Sequence, residues 1–131
     1  MSRADRGLAV VATTRRDGSV HASVVNAGVF DTSTATTVAF VARGDAFKLR
    51  LFRRSGRAAV VFRAGWEWVS VEGPVEVAGP AEAGDQLPAL LRAIFQAAGG
   101  THDDWEEFDR VMASERRVAV FVTPERITGN G

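Results

Sequence analysis

The sequence contains no cysteine and no tyrosine. The lack of cysteine excludes disulfide bonds, thiolate nucleophiles and cysteine-type metal sites. Long hydrophobic runs are also missing, because no uninterrupted apolar stretch exceeds five residues. This predicts a chain without a membrane-spanning helix, and the first six residues show no sign of a secretory signal. We therefore expect a cytoplasmic protein with no membrane partner and no metal site.

The chain has no net charge, since 16 basic residues balance 16 acidic ones. Nucleic-acid-binding domains usually carry a surplus of positive charge, so a nucleic-acid partner is not expected. A length of 131 residues with 46% hydrophobic content suits one domain with a real core. We predict a single domain over residues 1–131.

Apolar alternation, helical spacing and turn signals predict a mainly β fold with six strands and three helices. The first helix, over residues 46–54, follows the third strand and is expected to be capped by Asp45. Two further helices precede the last strand, the second of them capped by Thr101. We expect the strands to form a small antiparallel barrel, and they are predicted at residues 7–14, 19–30, 37–42, 58–62, 67–77 and 117–128.

The segment from residue 43 to residue 63 holds seven basic residues and a single acidic one, Asp45. It includes Lys48, the only lysine beside fifteen arginines. Helical projection places Lys48 on the apolar side of its helix, in the first turn, where the helix dipole disfavours a cation and an anion would be welcome. The sequence thus predicts a phosphate site at Lys48. The alternative is that Lys48 pairs with Asp45 and reaches solvent.

Two other pairs are candidate site residues. His21 and Ser23 alternate onto one face of the second strand, where they either line a groove or lie exposed. Trp66 and Trp68 flank Glu67 at strand spacing, so both indoles are expected on one side. They either pack in the core or cover an aromatic ligand or a partner subunit.

Four stretches of the sequence resemble a known family. They are GLAVVATTRRDGSVHASVV, DAFKLRLFRRSGRAAVVF, WEWVSVEGPVEV and GGTHDDWEEFDRVMASERRVAVFVTPERITG. In this order they resemble the FMN-binding split-barrel superfamily of pyridoxamine 5′-phosphate oxidase-like proteins, and most of all its coenzyme F420-dependent branch. The resemblance implies a six-stranded split β-barrel and a homodimer with cofactor grooves between the two barrels.

The resemblance also implies the residues of the cofactor site. Lys48 would bind the phosphate, with Arg50 nearby, and Trp66 would approach the cofactor from the second subunit. The remaining residues would line the groove: His21, Ser23, Val24, Val41 and Ala42. Relatives often carry a second basic residue two positions before the lysine and an asparagine three positions after it, where this chain has Ala46 and Leu51.

The function that follows is an F420-dependent reductase that passes a hydride from the reduced deazaflavin to a small unsaturated organic acceptor. F420 is preferred to FMN because its negatively charged tail suits the basic segment. No proton donor is assigned, although His21 and Glu67 are candidates. Two alternatives stay open: an FMN-dependent oxidase or reductase of the same fold, and a non-catalytic protein that binds F420 or haem.

Overall fold

The computed structural model describes residues 7–130. The prediction that no secretory signal precedes the first strand falls on residues 1–6, which lie outside the described residues. The strands are β1 (Leu8–Thr14), β2 (Val20–Asp31), β3 (Thr36–Arg43), β4 (Arg57–Ala64), β5 (Glu67–Ala78), β6 (Arg117–Val122) and β7 (Arg126–Gly129). The helices are α1 (Phe47–Ser55), the single turn α2 (Pro80–Ala83), α3 (Leu87–Ala97) and α4 (Trp105–Ser114).

Six of these strands close into an antiparallel barrel in the order β4-β1-β2-β3-β6-β5, with β5 pairing back onto β4. The long strand β2 makes this possible, because residues up to Asn26 pair with β1 and those from Ala27 onward pair with β3. Strand β7 adds to the outside of β5. The predicted six-stranded antiparallel barrel is confirmed, with one extra strand.

The barrel interior forms the larger of two hydrophobic clusters. Phe40 of β3 and Val60 of β4 are fully buried, and Phe52 of α1 packs edge-on against Phe40 with ring centroids 6.1 Å apart. Helix α1 therefore plugs one end of the barrel. A second cluster lies outside β3 and β6, where Ala39 and Ala119 are covered by α3 and α4. The strands covered on both faces are consequently apolar at successive positions.

The helix caps differ from the predicted ones. Ala46, and not Asp45, precedes α1, and no side chain caps that helix. The Asp45 carboxylate instead accepts a hydrogen bond from Arg43 Nε at 3.3 Å. Helix α4 begins after Asp104, whose carboxylate accepts from the Glu107 N–H at 3.1 Å. The prediction of Thr101 as the cap was wrong because Asp104 takes this role three residues later.

The predicted last strand is two strands in the structure. Strand β6 ends at Val122 and β7 begins at Arg126. Pro124 lies between them, and a residue without an N–H cannot continue a ladder. Pro74 lies where β5 passes from β4 to β6.

Gly28 lies within β2, and the register of β2 against β3 runs through it without interruption. A Cβ atom at this position would lie 2.2 Å from the carbonyl oxygen of Ala97. The glycine therefore allows the C-terminal end of α3 to lie directly on β2. Within residues 7–130, no helix has the length and apolar character needed to cross a membrane.

Candidate functional site

A groove of about 390 Å³ lies between the barrel and the two long helices that cover it. One wall comes from β2, β3 and the start of α1. The other wall comes from α3, α4 and the start of β6. The lining residues are Val24, Val25, Asn26, Val41, Ala42, Arg43, Ala46, Lys48, Ile94, Phe95, Ala98, Phe108, Met112 and Arg117. This set combines an apolar wall with three cations, and it contains no acidic residue.

Lys48 enters the groove from the first turn of α1. Its ammonium group donates a hydrogen bond to Ser23 Oγ of β2 at 3.2 Å. Among the residues that the structure describes, Lys48 takes part in no ion pair, and the alternative pairing with Asp45 is wrong because Arg43 holds that carboxylate. Burial lowers the pKa of Lys48, and the positive charge of Arg117 lowers it further. A half-buried cation without a counter-ion favours a bound anion.

Arg43 and Arg117 bring two more positive charges to the same end of the groove. They lie directly opposite each other on β3 and β6. Each has an acidic neighbour two residues away along the chain: Arg43 contacts Asp45 at 3.3 Å, and Arg117 contacts Glu115 at 2.9 Å. Arg117 was not among the predicted site residues, because only the pairing of two strands distant in the chain brings it to the groove of Lys48.

Apart from its three cations and Asn26, the lining of the groove is apolar. The predicted residues Val24, Val41 and Ala42 all belong to this lining, and so do Phe95 and Met112 from the helices. Val24 is 63% exposed on the outer face of β2. A flat apolar ring could lie against this wall with an anionic group at the cationic end.

Four of the predicted site residues do not line the groove of the single chain. The His21 ring packs edge-on against Phe47, with centroids 5.5 Å apart, and the Arg50 guanidinium lies 5.5 Å from the centre of the same ring. Trp66 lies in the turn between β4 and β5 and is 94% exposed. Ser23 acts on the groove indirectly, through its hydrogen bond to Lys48.

The basic segment does not form one surface. Only Arg43 and Lys48 of its seven basic residues line the groove. Arg54 donates to the Thr14 carbonyl and Arg57 pairs with Glu125 at 2.6 Å. The local surplus of charge in the sequence is thus divided among separate contacts around the end of the barrel.

Ala46 and Leu51, the two positions at which the resemblance implies other residues, have different surroundings. Ala46 lines the groove, so a basic side chain there would add to its cationic end. Leu51 is buried and lies outside the lining. Over residues 7–130, no cluster of three or more metal-ligating side chains is present. The three cations of the lining suit a ligand with an anionic group.

Comparisons with known proteins agree with this fold. The family model described as pyridoxamine 5′-phosphate oxidase matches residues 3–130. A conserved hypothetical protein of Mycobacterium tuberculosis superposes with a TM-score of 0.72 at 18% identity, over 98% of this chain and 80% of that one. An FMN-binding protein of Nostoc punctiforme, related to pyridoxamine 5′-phosphate oxidase, gives 0.71 at 11% identity, over 98% and 76%. An F420 reductase gives 0.63 at 17% identity, over 92% and 88%.

Proposed function

The chain belongs to the pyridoxamine 5′-phosphate oxidase family, and from this premise we propose that it is an F420-dependent oxidoreductase. It would transfer a hydride from the reduced deazaflavin to a small unsaturated organic acceptor. The observation that carries the proposal is Lys48, a half-buried cation without an acidic partner among the described residues, at the end of an apolar groove. A cofactor with a flat ring and a phosphate matches both ends of that groove.

The preference for F420 over FMN rests on charge. F420 carries negative charge beyond its phosphate, and the groove offers Arg43 and Arg117 in addition to Lys48. The fold is shared with an F420 reductase and with an FMN-binding protein alike, so it does not separate the two cofactors. The three cations at one end favour the ligand with the more extended negative charge.

The chain's own part in the reaction would be binding and positioning. When bound, the cofactor supplies the hydride. Lys48 would hold the phosphate, while Val24, Val41 and Phe95 would exclude water from one face of the ring. The lining contains no His, Asp or Glu, and the candidate donors His21 and Glu67 lie outside it. We therefore propose that water protonates the product.

We also propose that the protein works as a homodimer. Leu8, Val10 and Val24 are exposed on the outer face of β1 and β2, and Val10 lies directly opposite Val24. Exposed apolar residues that cluster in this way are typical of protein interfaces. Because Val24 also lines the groove, a second copy on this face would close it, and the exposed Trp66 of each copy would contact its partner.

The experiment that tests the function is a titration of the apo-protein with F420 and with FMN, followed by turnover of enone and quinone acceptors with reduced F420. We expect tight F420 binding and loss of reduced F420 absorbance only when both protein and acceptor are present. Tight FMN binding with negligible F420 binding would favour the FMN-dependent alternative. F420 binding without turnover of any acceptor would identify a non-catalytic binder.

A further inference from the structure

Arg117 is a groove residue that the family resemblance does not assign. It is the first residue of β6, its side chain is 28% exposed, and it lies opposite Arg43 in the strand pairing. Its Nε–H donates to Glu115 Oε1 at 2.9 Å. The four N–H groups on its two terminal nitrogens make no hydrogen bond to any described residue. Arg117 is thus held by one edge while most of its donors stay free.

The surroundings of Arg117 contain an electrostatic conflict. Arg117 and Lys48 line the same groove, and the charge of Arg117 disfavours the protonated form of Lys48. The only described partner of the Lys48 ammonium is a neutral hydroxyl, and Glu115 contacts Arg117 on its Nε edge. Two cations that face one groove in this way repel each other until an anion lies between them.

We propose that Arg117 is a second phosphate ligand of the groove, which binds the same phosphate as Lys48 from the opposite wall, and that Glu115 is the residue that positions it. This inference rests on the proposed function, because it assumes a phosphate-bearing cofactor. The terminal nitrogens of a guanidinium suit a phosphate with two parallel hydrogen bonds, whereas a lysine offers a point charge. Arg117 would supply from β6 the second basic contact that Ala46 does not provide.

The test compares Arg117→Met with Arg116→Met. The control removes the same charge one residue earlier, from an exposed side chain that is not in the lining of this groove. Each variant is titrated with F420 and with the phosphate-free deazaflavin chromophore. We expect Arg117→Met to weaken F420 binding about tenfold or more, with no change for the phosphate-free chromophore. The F420 affinity of Arg117→Lys should fall between those of Arg117→Met and the wild type. The F420 affinity of Arg116→Met should match that of the wild type.

The outcomes separate this inference from the proposed function. Suppose first that the wild type binds F420. If Arg117→Met then binds F420 equally well, or if it loses as much affinity for the phosphate-free chromophore as for F420, Arg117 is not a phosphate ligand. The cofactor assignment stands in either case. If the wild type does not bind F420, the proposed function fails. Calorimetry with inorganic pyrophosphate then decides: heat that disappears in Arg117→Met supports the anion site, and the absence of heat in the wild type overturns it.

Discussion

Replacing Lys48 with methionine tests the phosphate assignment with little change in side-chain volume. The ammonium group has one described partner, Ser23 Oγ at 3.2 Å, and no acidic one. A hydrogen bond to a charged group contributes about 1.5–3 kcal/mol. Loss of that contact to the cofactor phosphate corresponds to an affinity about 10- to 150-fold weaker. Fluorescence titration of F420 into wild-type and Lys48→Met protein measures this ratio directly.

The matched control for Lys48→Met is Arg50→Met. It removes one positive charge from the same helix, but the Arg50 guanidinium lies against Phe47 and not in the groove. We expect Arg50→Met to bind F420 within a few-fold of the wild type. Equal losses in the two variants would mean that Lys48 acts only through the general field of the helix. Unchanged affinity in Lys48→Met would refute the phosphate assignment outright.

Lys48→Met should also change how the free energy of unfolding depends on pH. The sign of this change follows from the lowered pKa of Lys48. Burial and Arg117 lower this pKa in the folded protein below its ordinary value of 10.5. Between the lowered value and 10.5, the unfolded chain binds more protons than the native one, so the free energy of unfolding rises with pH in that window. Lys48→Met should lack this rise in urea unfolding measured at increasing pH. An identical rise in both proteins would show that Lys48 is not its source.

Three further predictions concern the fold and the assembly. Gly28→Ala places a Cβ atom 2.2 Å from the Ala97 carbonyl oxygen, so urea unfolding should show a loss of about 1–3 kcal/mol; an unchanged midpoint would mean that α3 does not press on β2. The Arg92 guanidinium lowers the pKa of Asp109 through its hydrogen bonds. The stabilisation lost in Asp109→Asn should therefore be present above pH 3.8 and vanish as pH falls through the lowered native pKa, whereas a difference that persists in acid would contradict this. Light scattering should report twice the 14.0 kDa monomer mass for the wild type and a single copy for Val10→Asp; a wild-type monomer would refute the homodimer.

The sequence was sufficient to predict the barrel because each strand carries its own local signal. Turn residues bound the runs of alternating or continuous apolar side chains, and these features do not depend on distant parts of the chain. The errors occurred where two local signals compete. Asp45 is a good cap by type, yet its carboxylate accepts from Arg43. Asp104 took the cap that Thr101 was expected to form.

The candidate site was predictable only in part, for a physical reason. The inward direction of Lys48 follows from the helical period, which is local, and the structure places it in the groove. The presence of Arg117 depends on the pairing of β3 with β6, because Arg117 and its register partner Arg43 lie far apart in the chain. A charge count along the chain does not contain that information.

What distinguishes a binding cation from a structural one is where tertiary contacts place its free donors, and not the local density of charge. Arg57 lies in the basic segment, but Glu125 already compensates its charge at 2.6 Å. Lys48 differs because it is half-buried and its described partner is a neutral hydroxyl. Ion pairing and burial are both set largely by tertiary contacts. For this reason only Arg43 and Lys48 of the basic segment belong to the groove in which we propose the anion site. An anion in the groove would compensate the one cation of that segment that burial penalises, and this links the fold around α1 to cofactor binding.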